Sequence, residues 1–436
     1  MHKAVRIALI AAMGGFLFGF ETAVISGAEK TIQKLWELSP FWQGFTVASS
    51  LIGTVIGSII VGGPVQKYGR KNTLLTIAIL YLISAIGCSY TSQWIPFIIF
   101  RFLGGVAVGA SSVVGPMYIS EISPASMRGR LAGSFQANIV FGILVAFITN
   151  YIFSGFGEAA WRLMFGIMII PSALFYILLR TIPESPRWLV LKNREAEAIP
   201  IFKKLSTENI DIAISEIRAS LSEKKENLFQ SKYVKPIFFA VVLAMFNQLT
   251  GINAILYYAP RIFSMAGFSE AESFLQPIYI GTANLIFTLL AMTLIDKVGR
   301  KKLLIIGSFG MILFLALTAQ VFSQPEPNKM VVVYLVGFIG FFGFSQGAVI
   351  WVFISEIFPN AVRSQGGALG SFTHWIMAAI ISWTFPIIVE GNSLGGYYSF
   401  LFYALMMLAH LIFVWKFLPE TKGRTLEEIQ KDLGIK

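Results

Sequence analysis

The chain has 436 residues, of which 56% are hydrophobic and 13% are charged. A soluble globular domain carries about 25% charged residues, so this composition excludes a water-facing surface of matching size. The formal net charge of +11 would suit a nucleic-acid partner, but the positions of the charges give it another meaning.

Twelve apolar runs approach the length that crosses a hydrocarbon core of roughly 30 Å at about 1.5 Å per residue. They lie near 5–27, 45–65, 73–91, 97–119, 131–153, 163–181, 236–258, 275–295, 303–322, 330–352, 366–389 and 398–417. The expected fold is an all-α membrane protein. The first run is broken near its end by Glu21 and lacks a small-residue cleavage site, so it reads as a retained helix rather than a signal peptide. Lys3, Arg6, Lys67, Arg70, Lys71, Arg128, Arg130, Lys297, Arg300, Lys301, Lys302, Arg363, Lys422 and Arg424 fall in alternate loops or at the two ends. The opposite loops carry few basic residues, among them Lys30, Lys34, Arg162, Arg261 and Lys329. This asymmetry predicts a multi-pass plasma (inner) membrane protein with both termini in the cytoplasm, and it replaces the nucleic-acid reading. The single cysteine, Cys88, lies in an apolar run, so no disulfide framework is expected.

Between the sixth and seventh runs lies a polar stretch rich in Lys and Glu. Ala196, Ile199, Phe202 and Leu205, then Ile210, Ile214, Ile217 and Leu221, recur at helical spacing, which predicts short amphipathic cytoplasmic helices. The expected division is a six-helix bundle over 1–183, a cytoplasmic helical linker over 184–235, a second six-helix bundle over 236–418 and a tail over 419–436.

The two halves repeat. Tyr68-Gly69-Arg70-Lys71 returns as Val298-Gly299-Arg300-Lys301. Ser120-Glu121-Ile122, with Arg128 seven residues past the Glu, returns as Ser355-Glu356-Ile357 with Arg363. Pro183-Glu184-Ser185 returns as Pro419-Glu420-Thr421. Pseudo-symmetric halves flanking a midplane site are the logic of secondary transporters. Glu121, Arg128, Glu184, Glu356, Arg363, Glu420, Arg70 and Arg300 all fall at cytoplasmic helix ends. Paired carboxylates and guanidinium groups there would latch that side shut; ordinary headgroup-facing charge is the alternative. Gln66 stands where the second copy has Asp296, so the expected network is asymmetric.

Pro183-Glu184-Ser185-Pro186-Arg187-Trp188-Leu189, Pro419-Glu420-Thr421-Lys422-Gly423, and Asn247-Gln248-Leu249-Thr250-Gly251-Ile252-Asn253 followed by Tyr257-Tyr258 complete a set in order. Over essentially its whole length the chain resembles the sugar porter family of the major facilitator superfamily. The resemblance implies import of a monosaccharide, hexose or pentose, by proton symport through alternating access. A facilitative uniporter on the same fold is the alternative. A sugar sensor is disfavoured, because only about 19 residues follow the last run.

Glu21 and Arg101 are ionisable residues inside runs, where charge is costly and marks function. Protonating Glu21 would release Arg101 and couple proton entry to a conformational change; a static buried pair is the alternative. The family commonly has Asp at this position in symporters and Asn in passive carriers, so the retained carboxylate favours symport. Amides donate and accept, and aromatic faces pack on sugar rings, which matches a polyhydroxyl substrate. The candidates are Gln136, Asn247, Gln248, Asn253, Asn284, Trp351, His374 and Trp375, which the resemblance maps onto sugar contacts; buried amides that merely join helices are the alternative. Asn247 departs from a usual Gln, and His374 from a usual Gln or Asn. Thr250-Gly251 is expected to break the seventh helix. Tyr257 and Tyr258 beyond it match the family's outer gate. Gly340, Gly343 and Gly347 either bend the tenth helix or pack it closely. No metal-ligand cluster, nucleophile elbow or phosphate loop is present in context, so neither an enzyme nor a cofactor is expected. The expected partners are the sugar, a proton and the lipid bilayer, with the chain acting as a monomer.

Overall fold

The computed structural model describes residues 2–124, 127–205, 209–222, 226–324, 326–424 and 426–435, and every regular element among them is helical. Twelve helical segments among these residues are long and apolar enough to cross a membrane. They are Lys3–Leu35, Pro40–Ile60, Arg70–Tyr90, Trp94–Ile122, Arg128–Ser154, Gly157–Arg180, Ser231–Tyr257, Glu270–Val298, Arg300–Phe322, Val331–Ile357, Arg363–Gly391 and Gly395–Phe417. Each matches an apolar run of the sequence. The first helix continues past its run to Leu35, and the eleventh reaches Gly391.

By packing, the chain forms two units that cut across its two sequence halves. One comprises Met1–Glu21, Ile52–Ile143 and Arg162–Lys225; the other comprises Thr22–Leu51, Leu144–Trp161 and Glu226–Lys436. The first, second, fifth and sixth spans are therefore shared out along their lengths. In the second unit, Asn150 of the fifth helix donates to the Val24 carbonyl of the first at 3.2 Å.

The linker is helical where the periodicity predicts, but the first of the expected apolar positions, Ala196, is exposed and Ala198 is buried in its place. Ser185 caps the helix Pro186–Leu191, accepting from the Trp188 amide, and Pro occupies its first turn where no amide donor is needed. Helices Glu195–Lys204 and Ile210–Ser222 follow. Trp188, Leu189, Ala198, Phe202, Ile214 and Ile217 bury one another. Trp188 Nε1 donates to the Gln66 carbonyl at 3.0 Å, which ties the linker to its unit. Helix Leu426–Leu433 buries Ile429 and Leu433 against the second unit.

Three spans are interrupted, the sixth by a short turn between Gly166 and Ile169 and two others by sharper breaks. The seventh stops at Gln248 and restarts at Ile252, across Gly251 at φ 79°. A Cβ on Gly251 would come within 2.3 Å of the Tyr403 ring, so both conformation and space demand glycine. The tenth breaks at Ser345, between Val331–Phe344 and Gln346–Ile357. Here both readings of the glycines apply. The break falls between Gly343 and Gly347, while Cβ atoms on Gly340 and Gly343 would press on Phe287 and Thr288 of the eighth span at 3.0 and 3.2 Å.

Gly251→Ala is expected to cost about 1–2 kcal/mol from backbone strain alone, measured by detergent-induced unfolding. Gly367→Ala is helical and its Cβ would meet nothing within 4 Å, so it should stay within roughly 0.5 kcal/mol of the parent. Equal losses at the two positions would contradict this account of the break.

Candidate functional site

The motifs at the basic-loop end build the same structure twice, once in each unit. Gly69 has φ 91° and Gly299 has φ 104°. A Cβ on either would lie 2.3 or 2.6 Å from the carboxylate of Glu184 or Glu420. The absent side chain lets each carboxylate reach the start of the next helix. Glu184 accepts from the amides of Arg70 at 2.9 Å and Lys71 at 3.1 Å; Glu420 accepts from Arg300 at 2.9 Å and Lys301 at 3.1 Å. An anion at a helix N-terminus satisfies orphan amides and the helix dipole together. Arg70 then grips Glu121 through two bonds of 2.8 Å, and Arg300 bonds Glu356 at 2.7 Å. Ser185 donates to Glu121 at 2.5 Å, and Thr421 to Glu356 at 2.6 Å. The asymmetry expected at Gln66 is present: Arg300 has a second acid, Asp296, at 3.0 Å.

Arg128 and Arg363, seven residues past Glu121 and Glu356, are not the partners of those acids. Glu121 and Glu356 turn to Arg70 and Arg300 of other helices, Arg128 is exposed, and Arg363 donates to the Phe358 carbonyl at 3.3 Å. Residues seven apart here are separated by a helix end, so their side chains leave on different paths. The pairs above also lie inside a unit, where they bind three helix ends together.

In the first unit, Glu21 and Arg101 meet. Arg101 Nη1 bonds the Glu21 carboxylate directly, with side-chain exposures of 1% and 2%. Phe165 faces the guanidinium at 5.6 Å. Gly104 leaves room for the pair, since a Cβ there would stand 2.8 Å from the carboxylate. Gln136 is half-buried in the fifth span of the same unit.

In the second unit, the broken seventh span gathers amides into a directed chain. Asn253 donates to Gln248 at 2.7 Å, Gln248 donates to Asn247 at 2.9 Å, and Asn247 donates to the Gln346 carbonyl at 3.4 Å. The Gln248 amide nitrogen also lies 3.1 Å from His374 Nε2. An amide NH2 can only donate, so His374 accepts through an unprotonated nitrogen. Trp351 and Trp375 flank His374 with centroids at 4.8 and 4.7 Å. Asn284 lies apart from this chain, receiving Thr288 at 3.4 Å. Tyr257 is buried, and Tyr258 donates to the Ser382 carbonyl at 2.9 Å.

Sequence reasoning missed two groups. Gln346, His410 and Ser308 are buried behind the amides, with Ser308 Oγ 2.8 Å from His410 Nδ1. Glu29, Arg261 and Glu390 form an ion cluster at the other end of the second unit. Burial pulls the Arg261 guanidinium down, but Glu29 and Glu390 outweigh it and hold it above the ordinary arginine value. Glu29 and Glu390 lie just past the apolar runs. The available signal was Glu29 and Gln33 standing four apart, on one helical face.

Removing one partner of a buried pair costs about 3–5 kcal/mol, whereas an exposed pair is worth at most about 1 kcal/mol. Glu121 is 8% exposed and Asp296 is 81% exposed. Glu121→Gln should therefore lower unfolding stability several-fold more than Asp296→Asn; similar losses would show that burial does not govern these pairs.

The profile of the family described as "Sugar (and other) transporter" matches residues 7–433. The D-xylose-proton symporter of Escherichia coli is 36% identical, with 97% of this chain and 94% of that protein covered. The arabinose-proton symporter of Bacillus subtilis is 35% identical, with 99% and 95% covered. A solved structure of the Escherichia coli xylose transporter, in a partially occluded inward-open conformation, is similar with a TM-score of 0.87 at 36% identity, covering 98% of this chain and 100% of that one.

Proposed function

The chain belongs to the sugar transporter family of the major facilitator superfamily, and from that premise we propose that it is a secondary active importer moving a monosaccharide together with protons. It is a transport protein, not an enzyme. The observation that carries the coupling is the Glu21–Arg101 pair, sealed from water in its unit. With both groups charged, the pair is neutral and stays shut. Protonating Glu21 removes the attraction and leaves Arg101 unpaired at membrane depth, a costly state that favours rearrangement.

The sugar reading rests on the second unit. Gln248 spends both amide hydrogens, on Asn247 and His374, while its oxygen accepts from Asn253 and keeps a second lone pair for a ligand. Asn253 keeps an oxygen and one hydrogen free of the described bonds. Trp351 and Trp375 supply the apolar face. Gln136 and Asn284 are proposed as further contacts, and Tyr257 and Tyr258 as the gate on the side of sugar entry. The positive-inside distribution supports cytoplasmic termini. A single chain supplies the ion pair, the amides and the aromatic faces, which supports a monomer as the working unit. Transport proceeds by alternating access, with each basic-loop cluster holding its helix ends as a rigid group.

Purified protein in proteoliposomes, assayed with D-xylose, L-arabinose and hexoses, tests this reading. Glu21→Gln should abolish accumulation driven by an imposed pH gradient and keep sugar exchange at equilibrium. Accumulation at the parental level in that variant would leave a carrier whose coupling does not run through Glu21. Competition by an inositol or an organic acid, with none by any sugar, would overturn the substrate class.

A further inference from the structure

The cluster around Arg261 joins residues of the first and second spans to residues that follow the seventh span and end the eleventh. Arg261 Nε and Nη2 bond the two oxygens of Glu29 at 2.9 and 2.5 Å. Arg261 Nη1 bonds Glu390, and Nη2 also bonds Gln33. Gln33 closes the ring by donating to Glu390 at 3.0 Å. Gln43 of the second span donates to the Glu29 carboxylate at 2.9 Å and to its carbonyl at 2.7 Å. Each charged group therefore uses a fixed, multiply bonded geometry rather than a loose surface contact.

Burial is graded across the cluster. The Glu390 side chain is 29% exposed, Arg261 7% and Glu29 0%. A cavity of about 780 Å³, lined in part by Lys30, Gln33, Lys34, Arg261, Glu326 and Glu390, reaches its wet end. Tyr258 backs the guanidinium at 5.9 Å and is itself held to the eleventh span. The same segment of the first half is fixed a second time at Trp383, whose indole donates to the Phe41 carbonyl at 3.1 Å. Apolar packing would hold such a seam at least as well as buried ions do. What ions add is a contact that is strong when closed and hydrated when open.

We infer that Glu29, Arg261 and Glu390 form a charge lock on the end of the molecule opposite the basic loops, and that sugar entry from that side requires it to open. The inference rests on the transport reading above, but it concerns the opening step rather than proton coupling. Arg261 follows directly on the segment of Tyr257 and Tyr258, so breaking its bonds to Glu29 frees the outer part of the broken seventh span.

The chain's single cysteine, Cys88, is buried in the first unit. In a Cys88→Ala background, Ser382→Cys places a thiol at a fully buried position roughly two helical turns before Glu390. Val362→Cys places one at a buried position beside the basic-loop end. Labelling each with a membrane-impermeant maleimide from its own side of the membrane reports opening without relying on transport. Glu29→Gln and Arg261→Gln should label Ser382→Cys roughly tenfold faster than the parent and leave Val362→Cys unchanged. Arg261→Lys, which keeps the charge but loses the fork, should fall between. Unchanged labelling at Ser382→Cys in a folded variant, or an equal rise at both thiols, overturns the lock. Should Glu29→Gln fail to fold, Glu390→Gln at the wet end gives the same comparison. Failure of the lock leaves the Glu21 reading untouched, since that is read in pH-driven accumulation.

Discussion

An ionised side chain in hydrocarbon has no water to fall back on, so it needs a partner and pays heavily when that partner leaves. This constraint organises the structure. Glu21 and Arg101 satisfy it in the first unit; just past the apolar runs, burial imposes the same need on Glu29 and Arg261 in the second, with Glu390 at the wet end. At the basic-loop end, outside the apolar runs, partly buried arginines and carboxylates pair in two matching groups. On the proposed reading, each step of transport exchanges one satisfied arrangement for another. On the same reading, Glu21 is the carboxylate at which a proton takes the place of the arginine.

The repeated motifs and the unrepeated residues divide the work. Gly69 and Gly299 each admit a carboxylate to a helix start, and Arg70 and Arg300 each hold the carboxylate of a third helix end. This is a frame, and both halves need the same one. The ion pair of the first unit and the amide chain of the second have no such copies. The amide chain is oriented by its own bonds: Asn247 gives its hydrogen to the tenth span, and that choice fixes which atoms Gln248 and Asn253 present. On the proposed reading, a departure at Asn247 therefore acts on the sugar through Gln248 as much as directly.

Much of this was legible in the sequence because membrane chemistry restricts residue types. Apolar runs revealed the twelve helices, and the break at Gly251 followed from Thr250-Gly251 between buried amides. Glu21 and Arg101 stood out as charges within runs. Partners were less legible. Glu121, Arg128 and Arg70 were all expected in one charge network, but the spacing did not say which acid meets which arginine, and Glu121 bonds Arg70 of a different helix. Spacing along one chain does not say which helix end arrives from elsewhere. The Arg261 cluster was missed for a related reason. Hydropathy measures where apolar residues stop, and helices continue beyond that point when polar side chains find partners, as Glu29 and Glu390 do. The sharing of the first, second, fifth and sixth spans between two packed units has no sequence signature at all, because it depends on contacts formed along their lengths.

The central claim is that sugar and proton cross together, and proton movement itself tests it most directly. In weakly buffered proteoliposomes without an imposed gradient, adding external sugar should raise the external pH as protons enter with it. A protonophore should collapse that signal, and Glu21→Gln should not produce it. Sugar entering at the parental rate with no change in external pH would contradict the account.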